Sequence, residues 1–406
     1  MSGPAPARVI ADGGATTPAG FSAGAVYCGL KTPGPDKLDI GILASDRPAN
    51  VAAVYTRNAF AAAPVAICKA VSDHGTARGV VVNAGNANAC TGQQGLDDAR
   101  EMAALTAKRI GASADEVFVA STGVIGVPLP MDLVRKGISE ISLAADGGPI
   151  IARAIMTTDT RPKQIAVQLT LAGKTVTVGG MVKGAAMIHP NMATMLAFIT
   201  TDAAVDVGLL RSALPDAVAD SFNMISVDGD TSTNDTVIVL ANGAAGNTPV
   251  KDGPDAEAFR AALTQVAAYL AREIVGDAEG ATRIITCEVK GARDKGDARR
   301  AARQVISSML VKSAVYGSDP NWGRVLCAIG YSGASVDPMA VDLDVGGVAL
   351  VRAGAPVETG RDEAAEVMKQ REVRFVADLH VGTGSAVAWG CDLTEEYVVL
   401  NSAYTT

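Results

Sequence analysis

Aromatic residues are scarce in this chain: Phe, Trp and Tyr together make up 4 %, with two tryptophans in 406 residues. The formal charge is -8 and the sequence pI about 5.1. A basic surface studded with stacking rings, which nucleic-acid binding needs, is therefore missing, and no nucleic-acid partner is expected. No apolar run approaches the ~18 residues of a membrane helix. The first residues, "MSGPAPARVIADGG", lack a cationic stretch followed by an apolar core, so neither a membrane segment nor a secretory signal is expected. Cysteines stand at 28, 68, 90, 287, 327 and 391 with no CxxC pair, which argues against a zinc ribbon or a redox motif. His74, His189 and His380 are far apart, none at ligand spacing from another or from a cysteine, so no metal is expected. These absences point to a reduced, cytoplasmic protein.

What is present is material for a core. Hydrophobic residues are 48 % and charged residues 19 %, a globular composition, and the length suits two or three domain-sized units. "IAVQLTL" and "KTVTVGG", residues 165–171 and 174–180, alternate apolar and polar positions around Ala172 and Gly173, which predicts a β-hairpin with Val167, Leu169 and Leu171 on one face. Phe259, Leu263, Val266, Leu270 and Ile274 make one apolar stripe at helical spacing, started by Pro254 and Asp255. Further helices are expected over about 97–110 and over 297–312, the latter burying Ala302, Ile306, Met309 and Leu310. Residues 241–255, rich in Ala and Gly, read as a connecting loop. With no internal repeat and both element types recurring, the class is a layered α/β protein.

Several strings imitate functional motifs. "GFSAG", 20–24, matches the nucleophile elbow but follows a turn-rich stretch instead of a strand, so Ser22 is expected to be a loop hydroxyl. "VDGDTSTND", 227–235, begins like a calcium loop with Asp228 and Asp230. Thr233 then stands where that loop requires glycine and Val239 where it requires glutamate. A loop satisfying its own backbone, with some prospect of lining a polar site, is the better reading. "GTGSAV", 382–387, lacks the third glycine and the acidic residue of a dinucleotide site. "NAGNANACTG", 83–92, is a tight turn either beside a ligand or simply in a loop.

One residue is harder to place. The apolar run Met195–Ile199 starts just after Pro190 and Asn191, and Thr194 puts a single hydroxyl at its mouth. As a β-branched residue it suits a strand. It also suits a nucleophile, because a threonine whose own α-amine is freed by cutting the chain before it carries a base with a pKa of roughly 7.7 to 8.0.

Resemblance decides between these. "KGAAMIHPNMATMLAF", 183–198, resembles the signature of the glutamate N-acetyltransferase family, also called ornithine acetyltransferase, an arginine-biosynthesis family. The similarity runs nearly end to end through "PAGFSAGAVYCGLK", "NAGNANACTG", "STGVIG", "TTDTRPK", "VDGDTSTND", "DAEGATR", "DPNWGR" and "WGCDLTEEYVVLNSAYTT", with small departures at Ala185, Ala278, Ser402 and Tyr404 to Thr405. The resemblance implies a layered α-β-β-α sandwich and a self-processing N-terminal nucleophile. The cut falls between Ala193 and Thr194, giving an α chain, 1–193, and a β chain, 194–406, in one catalytic unit, with a smaller C-terminal subdomain from about 280. It implies that Thr194 carries the acetyl group from N-acetylornithine to glutamate and that Thr122 and Gly123 form the oxyanion hole. Substrate binding falls to Thr157 (favoured over Thr158), Lys183, Thr194, Glu279, Asn401 and Thr406. It implies no cofactor and no metal, an assembly of two α and two β chains, and leaves open whether acetyl-CoA is a second acetyl donor. The alternatives are an N-terminal-nucleophile hydrolase that passes the acyl group to water, and a non-catalytic amino-acid-binding protein.

Overall fold

The computed structural model of the protein describes residues 6–34, 37–189, 195–358 and 360–403. Its strands are β1 (Arg8–Ile10), β2 (Phe21–Val26), β3 (Ile40–Tyr55), β4 (Thr76–Asn86), β5 (Val117–Val124), β6 (Lys163–Leu171), β7 (Lys174–Lys183), β8 (Leu196–Thr201), β9 (Ile225–Ser226), β10 (Thr236–Ala241), β11 (Ile284–Ala292), β12 (Asp342–Val345), β13 (Val348–Arg352), β14 (Ala355–Pro356), β15 (Glu372–Asp378) and β16 (Gly384–Cys391). The helices are α1 (Ala63–His74), α2 (Gly92–Ile110), α3 (Met131–Glu140), α4 (Gly148–Ala154), α5 (Val207–Ala219), α6 (Gly253–Gly276), α7 (Lys295–Ser307), α8 (Met309–Tyr316), α9 (Trp322–Gly330), α10 (Arg361–Val367) and α11 (Glu395–Ala403).

The larger sheet has nine strands in the order β1-β6-β7-β8-β10-β3-β4-β5, with β2 paired to β3. Its long strand β3 shifts register against β4 between Ala44 and Ala49, and this irregularity lets one continuous sheet fold over on itself. One core lies inside the fold and joins Met181, Leu196, Phe198 and Ile238 to Val80, Val82, Phe118 and Ala120. Outside one wing, α5 and α6 cover Val167, Val178, Ala197 and Val239. Outside the other, α2 and α3 cover Ile40, Ile42, Val81 and Val119. The result is the expected α-β-β-α sandwich, its two β layers being two wings of one sheet. The smaller sheet, β14-β13-β12-β15-β11-β16-β9, packs on α7 around a separate core.

The local readings meet mixed outcomes. The hairpin forms, Ala172 and Gly173 both taking positive φ, as a tight turn of this kind demands. The run after Thr194 is apolar at every position because β8 is covered on both sides: Ala197 and Ile199 face α6 and its neighbours, Leu196 and Phe198 the inner core. The stripe of Phe259 to Ile274 lies along α6, fully buried. The expected helix over 297–312 is corrected. Ser308 takes an extended conformation (ψ 116°) and its hydroxyl caps a new helix at Val311, so α7 ends at Ser307 and α8 begins at Met309. Ala302 and Ile306 are buried as read, whereas Met309 and Leu310, in the first turn of α8, are 70 % and 60 % exposed. Ser22 is likewise corrected: it sits inside β2, paired with Ala44, and not in a loop. Gly382 and Gly384 serve packing, since a Cβ at either would meet the backbone of Ala292 to Asp294 within 3 Å. Among the described residues no helix is long and apolar enough to cross a membrane.

The α6 stripe lies against the wing that carries β7 and β8. Leu270→Ala should leave a cavity under Gly180, whose Cα side faces Leu270, and lower stability by about 2–5 kcal/mol, read as a shift of the urea midpoint.

Candidate active site

Two stretches that the sequence places far apart converge at the ends of the central strands. The 227–235 string packs against both described flanks of residues 190–194. On one side Asp228 accepts the backbone N–H of Met187 (2.6 Å) and of Ile188 (2.8 Å), Val227 N donates to Ile188 O (2.7 Å), and the Thr231 hydroxyl donates to His189 O (2.8 Å). On the other, Thr236 N donates to Met195 O (2.9 Å), and β10 continues parallel to β8 from Leu196 opposite Thr236. Asp228 and Thr231 thus hold the neighbouring backbone, while Asp228 and Ser232 also accept the N–H groups of Asp230 (3.2 Å) and Asn234 (3.2 Å) within the loop itself, as the sequence suggested. Ala193, Thr194 and Thr406 lie outside the described residues.

Between these flanks opens a cavity of about 200 Å³. Its lining includes Thr122 and Gly123 at the end of β5, Thr157 and Thr158, Lys183 at the end of β7, Met195, Asp235, Glu279 and Asn401. Every described residue that the sequence put forward thus reaches one cavity, and both candidate threonines of 157–158 reach it.

Each wall has a local cause. Gly123 has φ +132° and pairs with Gly85; a Cβ there would come within 2.3 Å of the Gly85 carbonyl carbon, so glycine permits the two strands' close approach. The asparagine-rich 83–92 string ends β4 with Asn83 to Asn86 and then turns into α2 with Asn88 and Cys90 at positive φ, Ala87 lining the cavity. Asn83 accepts from the Ser121 hydroxyl (2.6 Å), and Asn234 donates to Ala87 O (2.6 Å) and Ser121 O (2.8 Å), which fixes the strand immediately before Thr122. Lys183 is buried, and its ammonium donates to the Thr122 hydroxyl oxygen at 3.3 Å. That bond occupies a Thr122 lone pair and leaves its O–H free to donate elsewhere. Burial, together with the charge of Lys163, holds Lys183 below the ordinary lysine range against the pull of Asp159, Asp235 and Glu279. Asn401 on α11 donates to the Glu279 carboxylate (2.9 Å), and Glu279 N donates to Ala185 O (3.0 Å).

Beneath the cavity sits a buried ion cluster that sequence reading did not single out. The Lys163 ammonium contacts Asp159 at 2.6 Å and Asp277 at 2.5 Å, and all three side chains are essentially without solvent. Asp159 also accepts N–H groups from Thr157 (3.0 Å) and Gly184 (2.7 Å), and Asp277 accepts both the N–H (3.0 Å) and the hydroxyl of Thr160. Burial pushes the Asp159 carboxyl up, yet the Lys183 and Lys163 charges and these hydrogen bonds outweigh it and hold the group down at about 2. "TTDTRPK" contains Asp159 and Lys163, but a spacing of four residues outside a helix gives no sign of pairing.

A sequence model of the ArgJ family matches residues 22–406. This protein belongs to the ArgJ family. It is 54 % identical over 97 % of its length to the arginine biosynthesis bifunctional protein ArgJ of Symbiobacterium thermophilum, covering 99 % of that protein. It is 47 % identical to the protein of the same name from Geobacillus kaustophilus, over 98 % of this chain and 97 % of that one. Among solved structures, the arginine biosynthesis bifunctional protein ArgJ of Bacillus halodurans aligns with a TM-score of 0.50 at 44 % identity, over 51 % of this chain and 98 % of that chain.

The ion cluster generates a prediction for this family member. Lys163→Met removes the cation in contact with both Asp159 and Asp277 and should cost about 3–5 kcal/mol at neutral pH, measured by the urea midpoint. Because the folded-state pKa of Asp159 is depressed, its contribution is present above the unfolded value of roughly 3.9 and is lost as pH falls towards about 2. Stability of the unmutated protein should drop across that window, and less steeply in Lys163→Met.

Proposed function

We propose that this protein is a glutamate N-acetyltransferase that moves the acetyl group of N2-acetylornithine to glutamate through an acetyl-threonine on Thr194, in arginine biosynthesis. The observation that carries the reading is the convergence, in a chain of the ArgJ family, of Thr122, Gly123, Thr157, Lys183, Glu279 and Asn401 on one cavity bounded by Met187 to Ile188 and by Met195.

The chemistry starts with processing. The Thr194 hydroxyl attacks the Ala193 carbonyl, the peptide nitrogen becomes a free α-amine, and water releases the ester. The two new ends do not part, because residues 227–236 hold His189 and Ile188 on one side and Met195 on the other. The solved chain from Bacillus halodurans, matched over nearly all of its own length by half of this one, has the size such a cut produces. In turnover the α-amine takes the Thr194 hydroxyl proton as oxygen attacks the acetyl carbonyl. The oxyanion receives the Thr122 O–H and the Gly123 N–H. Lys183 meets the substrate carboxylate and Glu279 its ammonium, with Thr157, Asn401 and Thr406 completing the binding set. The enzyme works in the cytoplasm as two α and two β chains, without a metal or resident cofactor.

Incubation with glutamate and either N-acetylornithine or acetyl-CoA, with acetylglutamate measured from each, tests the activity and decides whether acetyl-CoA is a second donor. Ornithine released without acetylglutamate would make the protein a hydrolase instead.

Thr194→Ala should leave one uncut chain of 41.2 kDa with no transferase activity, and Thr194→Ser should keep part of both. Amino-terminal sequencing of the unmutated protein should find a second terminus reading Thr-Met-Leu-Ala-Phe; an active, uncut Thr194→Ala protein would refute the assignment. Thr122→Ala should lower kcat by on the order of 10² to 10³ with a smaller effect on KM, as loss of an oxyanion donor does.

A further inference from the structure

Asp235 has no role in the mechanism above. It stands immediately before β10, beside the Met195 end of β8, and lines the same cavity as Thr122, Lys183 and Glu279. The residue is 1 % exposed, and its Oδ2 atom is buried with no hydrogen-bond partner among the described residues. Buried polar atoms are almost always partnered, so an orphan on a residue that lines a reaction cavity invites a chemical explanation.

Acetyl transfer between two amino acids leaves one proton unassigned in each half of the cycle. In the first half the α-amine takes the Thr194 hydroxyl proton as the ester C–O bond forms, and the leaving nitrogen needs a further proton before the amide C–N bond can break. Ornithine then departs with both protons, as the ammonium it is at neutral pH. In the second half glutamate arrives as an ammonium and must lose a proton before its nitrogen lone pair can attack the ester. The new C–N bond then forms, the ester C–O bond breaks, and the threonine oxygen recovers its proton through the α-amine. One proton must be supplied, then one removed, at the same place.

We propose that Asp235 stores this proton, giving it to the departing ornithine amine in the first half-reaction and taking it back from the incoming glutamate ammonium in the second. The inference rests on the acetyl-threonine reading and deepens it. Over the full cycle Asp235 returns to its starting state as a neutral acid. Burial holds its pKa well above the carboxylate range, against the opposing pull of Ser232 and Lys183, which suits an acid and base used near neutrality. The other titratable groups around the cavity are Lys183 on β7, Asp228 and Asp230 in the loop before β10, Glu279 after α6 and Tyr397 on α11.

The test compares two acetyl donors for formation of the acetyl-enzyme, followed by mass. p-Nitrophenyl acetate expels a phenolate that leaves without a proton; N-acetylornithine expels an amine that needs one. Asp235→Asn should slow acetylation by N-acetylornithine about 10²-fold, as loss of a general acid does, and leave acetylation by p-nitrophenyl acetate within about twofold. Asp235→Glu should restore part of the loss. In the unmutated enzyme, acetylation by N-acetylornithine should fall as pH rises through a limb that p-nitrophenyl acetate does not show. Where Asp235→Asn does not fold or is not processed, this second measurement still tests the role, since a limb absent with N-acetylornithine or shared by both donors overturns it. Equal slowing of both donors, no slowing of either, or the same pH limb with both overturns the role of Asp235. No acetyl-enzyme from either donor in the unmutated protein overturns the acetyl-threonine reading itself, and the two failures are thereby distinguishable.

Discussion

The site depends on one buried cation. Lys163 on β6 binds Asp159 and Asp277 without water, and through them it fixes three otherwise independent pieces of chain. Asp159 orients the Thr157 turn and the Gly184 N–H that follows Lys183, while Asp277, at the end of α6, sets the position from which the chain reaches Glu279. An isolated buried charge is prohibitively costly and a buried pair only just balanced, so the cluster holds only in the arrangement that satisfies every member. That makes it a positioning device: a shift of Thr157, Lys183 or Glu279 relative to the others would strip a hydrogen bond from a buried charge.

The folded-over sheet supplies the second constraint. A cavity at strand ends needs rigid walls on several sides, and one continuous sheet whose wings face each other provides them from β5, β7, β8 and β10 at once. The same geometry tolerates a chain break. The hydrogen bonds that hold the 187–189 flank come from residues 227–231, and those that hold Met195 and β8 come from β10 and β7. No hydrogen bond in either set requires a covalent link between the flanks, so a cut within residues 190–194 would cost the fold little and leave β8 in place.

What could be read from sequence was what local periodicity records. The hairpin at Ala172 and Gly173, the stripe along α6 and the apolar run of β8 are statements about which side of one element meets the core, and they stood. The helix expected through 297–312 failed at Ser308, where a hydroxyl capping Val311 outweighed a continuing apolar pattern and turned Met309 and Leu310 outward. The residues assigned by family resemblance, Thr122, Gly123, Thr157, Lys183, Glu279 and Asn401, share a cavity in the fold. The residues that arrange them were not legible. Lys163 and Asp277 are 114 positions apart, and nothing in either neighbourhood marks a pair. Asp235 looked like one more acid in a polar loop, because burial and the lack of a partner exist only once β10 is seated beside β8.

Charge balance links these layers. With Asp235 neutral, the buried groups beneath and beside the cavity are two lysines, Lys163 and Lys183, and two carboxylates, Asp159 and Asp277. The empty site then carries no net buried charge, which a low-dielectric interior favours. In the proposed acetyl transfer, N-acetylornithine, with one carboxylate and one ammonium, enters without disturbing that balance. Once its amine departs with the stored proton, Asp235 is an anion and the site has one negative charge too many. An arriving ammonium relieves that excess, and its proton restores the neutral acid. The electrostatics therefore favour occupation of the acetylated site by an amine that brings a proton over attack by neutral water, and this gives a physical reason for a transferase to outpace hydrolysis in a cavity that water can enter.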